Sequence, residues 1–402
     1  MNNYLILSIV SMVLLLNINV IQAQNDEIPL SAPYVMVTPA TADRILIYDM
    51  NGVQRELSFG GFEHHIWDTS PDGCQILFTL AQTGQPPQMY TANLDGSNQR
   101  QLVLYEDLPA SEWGVWEPDW SPDGARIAFT MIRNIPQRNE IVQEHHIGWI
   151  NGLRLDEPQI PEFYSVTGRE YTPQWSPNSE WLAYVSYDER VLGVDPASTA
   201  IPTQEPVEGQ TAPEVEVPTI FEADLWVVSA DGVSKYPLTQ FSVGSVRHPR
   251  WSPDSELLGF IYSPSSSNDT FFMVGNQQGS ISTQLSFQWN LTLDHTWLPD
   301  GSAMLASVRD FQQTGGNRLW RIPLIGNADN DATFFLTDNA FTHTDYPRFS
   351  ADGRWLAFRS TYILTVVDTQ GNTWVQLDDT IAGNTPPVWS PAGFDGEQDC
   401  VG

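Results

Sequence analysis

The sequence predicts an all-β fold, a seven-bladed β-propeller made of four-stranded antiparallel blades. Three observations lead to this prediction. A turn motif recurs seven times, the segments between its copies have the composition of short strands, and the two ends of the chain carry complementary parts of one blade. A fixed internal repeat of this length is typical of propellers. Six blades is the alternative if the last segment does not form a strand.

The recurring motif joins the first two strands of each blade, and the segment DWSPDGARIAFT at 119–130 shows it in full. A short strand ends in Trp-Ser, Pro-Asp-Gly follows, and an almost continuously apolar strand comes next. Proline fixes φ, aspartate bonds to the nearby backbone and glycine accepts a positive φ, so the chain turns tightly. The equivalent position is held by Pro71, Pro122, Pro177, Pro253, Pro299, Ala351 and Pro391.

A second turn follows the third strand of each blade. It has the form Asp-Gly or Asn-Gly at Asp95, Asn151 and Asp231, and related pairs occupy the same place in the other repeats. These dipeptides are strong signals for a two-residue hairpin. Segments such as RQLVL and YPLTQ then supply the fourth strand.

The two ends of the chain complete one blade between them. YVMVT, RILIYDM and VQRELSF precede the first motif and correspond to strands two, three and four without a first strand. TPPVWSPAG near the carboxyl terminus is a first strand without followers. We therefore expect this C-terminal strand to join the three N-terminal strands and close the ring, which removes the exposed sheet edges.

The amino-terminal segment has the pattern of a secretory signal peptide. The apolar run YLILSIVSMVLLL is followed by a polar stretch and by a small residue, Ala23, at the expected cleavage point. A short membrane anchor is the alternative. We expect the mature chain to be extracytoplasmic, either periplasmic or secreted, with no stable membrane span after cleavage.

The predicted organisation is a single domain. An insertion that is rich in Pro, Glu and Thr splits two strands of one blade, and its composition predicts a flexible loop. The predicted boundaries are 1–23 for the signal peptide, 24–32 for a linker, 33–395 for the propeller, 190–220 for the insertion and 396–402 for a tail.

The chain is strongly acidic, with a formal net charge of -31 and a single lysine, Lys235. This charge argues against nucleic acid or an anionic membrane as a partner. It favours solubility, and it could attract a basic partner.

The repeats resemble those of the TolB-like (WD-repeat-like) β-propeller family. QWSPNSEWLAYVS, DLWVVSADGVSKYPLT and RWSPDSELLGFIYS carry the resemblance, which extends from about residue 33 to residue 393. Similar blades occur in the periplasmic TolB protein, in the propellers of prolyl oligopeptidase-type peptidases and in an oligogalacturonate lyase family. The resemblance is specific for the fold and implies little about activity.

The two faces of the predicted propeller differ. In a four-stranded meander both hairpin turns lie at one end, and the variable connections lie at the other end, where binding residues are usually found. The candidate ligand-binding residues at this channel mouth are Trp113, Trp116, Glu117, Arg247, Asp345 and Tyr346. For the two tryptophans, packing beneath the loops is the alternative role.

All seven histidines of the chain fall at the same end of the predicted propeller. Histidines that converge on a channel can bind a divalent transition metal, and the resembling lyase family has metal-binding histidines near such positions. The histidines lie at different offsets from Trp-Ser, so single histidines bonded within loops are the alternative, and no cofactor is the favoured expectation. The metal candidates are His64, His65, His248, His295 and His343.

The two cysteines, Cys74 and Cys400, each follow a hairpin turn in neighbouring blades. Both are expected on the regular face, where a disulfide could join the closing blade to the next one. The alternative is a buried thiol at Cys74 and a loose tail at Cys400.

The pattern favours a non-catalytic, exported, monomeric propeller that binds a protein or a cell-envelope ligand through its channel mouth. The chain has no G-x-S-x-G nucleophile elbow, no HExxH and no phosphate-binding loop, so no catalytic residue is predicted. The alternative is a metal-dependent, polysaccharide-active enzyme, similar to oligogalacturonate lyase, that uses the histidines at the channel mouth.

Overall fold

The computed structural model describes residues 28–60, 63–81, 85–103, 113–136, 141–165, 170–191, 219–241, 244–264, 270–276, 281–286, 290–310, 316–325, 331–336, 343–370, 373–381, 383 and 385–400. The predicted signal peptide, residues 24–27 of the predicted linker and residues 192–218 of the predicted insertion lie outside the described residues.

The described strands form seven four-stranded antiparallel sheets, and each sheet is one blade. Blade 1 contains β1 (Tyr34–Val37), β2 (Ile45–Asp49) and β3 (Gln54–Leu57) together with β28 (Val388–Trp389). Blade 2 contains β4 (Glu63–Thr69), β5 (Gln75–Ala81), β6 (Gln88–Asn93) and β7 (Arg100–Gln101). Blade 3 contains β8 (Gly114–Trp120), β9 (Arg126–Pro136), β10 (Ile141–Asn151) and β11 (Phe163–Tyr164).

The other four blades follow in chain order. Blade 4 contains β12 (Glu170–Trp175), β13 (Trp181–Val191), β14 (Thr219–Ser229) and β15 (Lys235–Pro237). Blade 5 contains β16 (Ser245–Trp251), β17 (Leu257–Ser263), β18 (Phe271–Asn276) and β19 (Ile281–Ser286). Blade 6 contains β20 (Asn290–Trp297), β21 (Ala303–Asp310), β22 (Asn317–Pro323) and β23 (Thr333–Phe334). Blade 7 contains β24 (Thr344–Phe349), β25 (Trp355–Ser360), β26 (Ile363–Asp368) and β27 (Thr373–Ile381).

The ring closes as the sequence predicts, with seven blades and not six. In blade 1, β28 pairs with β1, and Trp389 lies opposite Val35. The innermost strands contact one another in a complete circle, from β4 through β8, β12, β16, β20 and β24 to β28 and back to β4. The backbone N–H of Ser390 also donates to the carbonyl oxygen of Tyr34 at 2.9 Å.

The end of the chain packs against the first two blades. Cys74 and Cys400 are joined in a disulfide with a Cα–Cα distance of 5.4 Å. Glu397, in the short 3-10 helix Glu397–Asp399, forms an ion pair with the buried guanidinium of Arg55 at 2.7 Å. Both contacts connect residues more than 300 positions apart, so they restrain the point where the ring closes.

The tryptophan of the turn motif connects each of several blades to its neighbour. The indole N–H of Trp251 donates to the carbonyl of Gln174 at 3.0 Å, and Trp297 and Trp389 make the equivalent bond to the preceding blade. The motif tryptophans are between 5% and 8% exposed. A buried indole needs both an apolar surface and an acceptor for its N–H, and the interface between blades supplies both.

The turn after the tryptophan is fixed by side-chain hydrogen bonds. In blade 3 the hydroxyl of Ser121 donates to Asp123 at 2.7 Å, and the φ of Gly124 is 75°. A positive φ favours glycine, which explains the Asp-Gly pair at this position.

Among the described residues no helix is long and apolar enough to span a membrane.

Candidate functional site

The innermost strands of the seven blades surround a cavity of about 390 Å³ at the centre of the ring. We call this space the central cavity. Its lining comes from six of the innermost strands, β4, β8, β12, β16, β20 and β24, and from the segment 385–389 that contains β28. Because successive side chains of a strand point to opposite faces, each strand turns only a few residues toward the channel.

A bulge in the innermost strands directs these side chains. The pairing register shifts three residues before the motif tryptophan in several blades, for example between Trp116 and Asp119. The residue at this position has a positive φ: 51° in Glu117, 55° in Thr172 and 52° in His248. Bulges re-aim side chains and are common beside functional sites, and positive φ values outside glycine carry strain.

In six blades the residue immediately before the motif aromatic residue, or before Thr69 in blade 2, also lines the cavity, and it often bonds to the neighbouring blade. The carboxylate of Asp68 accepts the backbone N–H of Trp120 at 2.7 Å, and Asp119 accepts that of Trp175 at 2.6 Å. These bonds hold the blades in register around the channel, so part of the cavity lining has a structural role.

Three carboxyl groups from blades 2 and 3, those of Asp68, Glu117 and Asp119, form what we call the acidic wall. Burial raises the pKa of Asp68 to about 7 and also raises the pKa of Glu117. Burial, together with the nearby charge of Asp68, raises the pKa of Asp119 well above its usual range. The positive charge of Arg250 favours the charged forms of Glu117 and Asp119, but burial outweighs it.

The opposite side of the cavity carries both signs of charge, and we call it the paired wall: His248, Arg250, Asp294 and Arg348. The guanidinium of Arg348 donates to Asp294 Oδ2 at 2.8 Å. Burial raises the pKa of Asp294, but the positive charges of Arg348, His248 and Arg250 outweigh burial and hold this pKa far below its usual range. Burial lowers the pKa of His248 to about 4.

The circular order of the strands places the two walls across the channel from each other. Blades 2 and 3 supply the acidic wall, blades 5, 6 and 7 supply the paired wall, and blade 4 lies between them. In blade 4, Gln174 accepts a hydrogen bond from Arg250 at 2.7 Å. On the other side of the ring, Val388 and Trp389 of blade 1 supply a largely apolar boundary.

Aromatic side chains lie on the same strands, nearer the end where the variable connections leave the blades. Trp116 contacts Trp67 edge to face, with 5.9 Å between ring centroids, and it also packs against His65. Tyr171 stacks on Tyr187 at 4.9 Å. This arrangement gives the channel mouth apolar surfaces beside the polar cavity.

The structure brings some of the predicted ligand-binding residues together and separates others. Glu117 and Tyr346 line the central cavity, and Trp116 borders a second cavity of about 470 Å³ between blades 2 and 3. Trp113 is buried at 2% exposure, with its ring covered by the guanidinium of Arg133. Trp113 thus packs beneath the surface, as in the alternative role, and offers no free ring to a ligand.

The remaining two candidates, Arg247 and Asp345, lie beside the cavity. Asp345 is bound by Arg359 at 2.9 Å and by the side-chain amide of Asn317 at 2.7 Å. Arg247 is half-buried, and burial lowers its pKa. Ligand binding by these residues stays a prediction.

The predicted metal-binding histidines do not form one cluster. His64 and His295 are buried in different blades, and His64 Nε2 accepts the backbone N–H of Phe59. His65 packs on Trp116, His248 lines the central cavity, and the ring of His343 lies against Gly316. In the part of the chain that the structure describes, no group of three or more His, Cys, Asp or Glu side chains could hold a metal ion. Metal binding stays a prediction.

Several residues of the cavity were not among the predicted site residues. They are Asp68, Asp119, Arg250, Asp294 and Arg348. Their signal was present in the repeats, because each lies one or three residues before the aromatic or equivalent residue of the motif. Comparing these two positions across the repeats reveals charged residues at a place where a strand of ordinary core would be apolar.

No protein-family model matches the chain. Over 155 residues it is 28% identical to an uncharacterized protein of Agrobacterium fabrum, and this match covers 35% of the chain and 47% of that protein. Over 146 residues it is 30% identical to dipeptidyl peptidase 4 of Bos taurus, and this match covers 33% of the chain and 18% of that protein. The chain thus matches less than half of the length of each relative.

Solved structures share the fold over most of the chain. A puromycin-hydrolyzing peptidase of Mycobacterium tuberculosis superposes with a TM-score of 0.58 and 14% identity, covering 89% of this chain and 54% of that one. An oligogalacturonate lyase of Vibrio parahaemolyticus gives a TM-score of 0.52 and 10% identity, covering 81% of this chain and 88% of that one. TolB of Acinetobacter baumannii gives a TM-score of 0.46 and 14% identity, covering 87% of this chain and 79% of that one. The predicted TolB-like propeller fold is confirmed by the seven closed blades, and identities this low show the fold alone.

Proposed function

We propose that the protein is an exported, non-catalytic binding propeller that holds a protein or cell-envelope ligand at the mouth of its central channel. The fold itself does not decide between roles, since the structures that share it include a peptidase, a lyase and TolB. The proposal therefore depends on the site and on the composition of the chain.

The central cavity is the observation that carries the proposal. Bulges with positive φ at Glu117, Thr172 and His248 turn polar side chains from three blades toward one space of about 390 Å³. Strained backbone is retained where the surrounding structure or a function requires it. Pockets of several hundred Å³ with a few convergent polar groups are typical binding sites.

The aromatic residues near the mouth support a macromolecular ligand. Trp116 and Tyr171 directly precede two of the bulge residues and are partly exposed. Aromatic residues are enriched in binding interfaces, because they bury a large area at a low cost in side-chain entropy. A ligand at the channel mouth would cover these rings and reach into the cavity.

The proposal is tested by capture of ligands from a cell-envelope extract on immobilised protein. We expect a ligand retained by the wild type to be lost from the double variant Trp116→Ala/Tyr346→Ala. The variant Leu153→Ala removes an exposed apolar side chain, 73% accessible, from a hairpin turn on the regular face and should retain the ligand. Equal retention by all three proteins would place binding elsewhere and contradict the proposal.

Metal analysis of the purified protein separates the binding role from the enzymatic alternative. Stoichiometric manganese or zinc that is lost in the variant His248→Ala would support a metal-dependent enzyme. Retention of an envelope ligand by the wild type after metal chelation would support the binding role. The two experiments use the same preparations.

A further inference from the structure

We propose that the central cavity receives a cationic N–H donor, a guanidinium or an alkylammonium group, which binds between the acidic wall and Asp294. This inference rests on the proposed binding function, and it names the chemistry of the group that the ligand inserts. Four features favour such a group: neutral hydrogen-bond donors at the acidic wall, a buried acceptor without a donor on the opposite wall, the shape of the cavity and the charge of the whole chain.

The acidic wall has only neutral donors among its hydrogen-bond partners in the described part of the chain. Asp68 accepts the backbone N–H groups of Thr69 at 2.8 Å and Trp120 at 2.7 Å. Glu117 Oε2 accepts the backbone N–H of Thr172 at 3.1 Å. No described lysine, arginine or histidine lies within 4 Å of these carboxylates as an ion pair.

The titration of the acidic wall agrees with this geometry. Burial raises the pKa of Asp68, Glu117 and Asp119, because it disfavours their charged forms. The charge of Arg250 opposes this effect on Glu117 and Asp119 without outweighing it. A cation in contact with these groups would favour their charged forms. Binding of a cation would therefore be coupled to release of protons from the wall.

A separate acceptor lies on the other side of the cavity. Asp294 is 1% exposed, and its Oδ2 is bound by Arg348. Its second oxygen, Oδ1, is buried and accepts no hydrogen bond from the described residues, and His248 Nδ1 lies 3.8 Å from it. A buried carboxylate oxygen without a donor is costly, so this atom indicates the place of a donor that the ligand supplies.

The size and the lining of the cavity also suit a cation with several N–H groups. A volume of about 390 Å³ is far larger than the ~30 Å³ that one water molecule occupies in the liquid. The indole of Trp67 lines the cavity beside Asp68, and the faces of tryptophan rings attract guanidinium and ammonium groups. A guanidinium is planar and carries five donors, so one group can bond to more than one carboxylate.

The charge of the whole protein acts in the same direction. The chain carries 49 acidic residues against 18 lysines and arginines. An excess of one sign produces a long-range potential that concentrates ligands of the opposite sign and raises their association rate. A basic group is thus favoured during approach as well as in the cavity.

The test measures binding of two matched probes to the full chain by isothermal titration calorimetry. Nα-acetyl-arginine amide carries the cation, and Nα-acetyl-citrulline amide has nearly the same shape without the charge. We expect the charged probe to bind at least tenfold more tightly. Nα-acetyl-lysine amide then compares ammonium with guanidinium, and binding of either cation supports the inference.

Variants locate the site. Glu117→Gln and Asp119→Asn keep the shape of the wall and should each weaken binding of the charged probe at least tenfold. Glu256→Gln makes the same change of charge at an exposed turn and should bind as the wild type does. Thermal denaturation of each variant verifies that it is folded.

Two results would overturn the inference. One is equal affinity for the charged and neutral probes, or no heat for either at millimolar concentration. The other is a charged probe whose affinity is unchanged in both acidic-wall variants. Neither result affects the proposed binding function, which depends on capture of an envelope ligand through Trp116 and Tyr346.

Discussion

The two walls of the central cavity use the same positions of the repeat in opposite ways. The residue before the motif aromatic residue is an acid in blades 2 and 3, at Asp68 and Asp119, and a base in blades 5 and 7, at Arg250 and Arg348. The acids of the first wall form no ion pair with a described residue, although the charge of Arg250 reaches Glu117 and Asp119. On the second wall, Arg348 lies 2.8 Å from Asp294.

The difference shows how two buried carboxyl groups in one cavity can have pKa values shifted in opposite directions. Burial raises the pKa of Asp119 well above its usual range because it is desolvated and close to Asp68. Burial acts on Asp294 as well, but the nearby guanidiniums outweigh it and lower the pKa. The direction of the pKa shift is thus set by the charges that neighbouring blades place beside the carboxyl group, while the repeat fixes only its place.

The largest effect that we predict compares the same substitution on the two walls. Asp294→Asn should destabilise the protein by about 3 to 5 kcal/mol, because it leaves the largely buried Arg348 without its counter-charge. Asp119→Asn should change stability by less than about 1 kcal/mol, because an amide oxygen can still accept the backbone N–H of Trp175 and the substitution leaves no described cation without its ion-pair partner. Urea-induced unfolding measures both.

Arg348→Met in the background of Asp294→Asn is the control for this prediction. Removing the unpaired guanidinium should recover part of the lost stability, since the cost comes from an isolated buried charge. Similar losses for Asp119→Asn and Asp294→Asn would show that the two walls do not differ in charge pairing.

Most of the fold could be predicted from the sequence because its determinants are local and repeated. Each Trp-Ser-Pro-Asp-Gly segment encodes a strand end, a tight turn and the start of a buried strand, and Ser121, Asp123 and Gly124 show the expected bonds and φ. Ring closure was also predictable, since the complementary ends of the chain left one blade incomplete. The pairing of Trp389 with Val35 confirms it.

The site was harder to predict because it depends on which residues meet across the ring. The sequence points to Glu117 and Tyr346 as ligand-binding candidates, and both line the cavity. It does not single out Asp68 and Asp294, although both line the cavity and lie at fixed offsets from the motif. Trp113 is a ligand-binding candidate by its place in the sequence, with packing beneath the loop as the alternative, and it lies buried against His146 and Arg133. Local sequence gives the strand and the offset, whereas the direction of a bulged side chain depends on tertiary packing.

The pH dependence of stability gives a second and smaller effect that sharpens the comparison. The folded protein holds the proton of Asp68 up to about pH 7, whereas the unfolded chain releases it near pH 3.8. The stability that this proton contributes is therefore present below pH 4 and is lost as the pH rises to 7. Between pH 5 and pH 8, Asp68→Asn should become more stable relative to the wild type by about 2 kcal/mol.

The paired wall should show the opposite dependence. The pKa of His248 falls to about 4 in the folded protein from the usual 6.5, so the unfolded chain binds this proton first. Its contribution to stability is present above pH 6.5 and is lost as the pH falls toward 4. Urea titrations of the wild type, Asp68→Asn and His248→Gln at several pH values measure both slopes. If the stability of both variants relative to the wild type changed with pH in the same direction, the assignment of the two walls would be contradicted.

The smallest effect separates pairing at the channel mouth from pairing in the cavity. Asp345 and Arg359 form an ion pair at 2.9 Å, and their side chains keep 18% and 11% of their exposure, whereas Asp294 keeps 1%. Asp345→Asn should cost about 1 kcal/mol at low salt, because Arg359 keeps a second bond to the carbonyl of Gly383. The loss should be smaller in 1 M sodium chloride, because water and ions reach the Asp345 carboxylate. The loss in Asp294→Asn should change little with salt, since buried pairs are screened far less. If salt reduced the stability losses of Asp345→Asn and Asp294→Asn in the same proportion, the paired wall would be as accessible to water as the channel mouth. The lowered pKa of Asp294 would then need another cause.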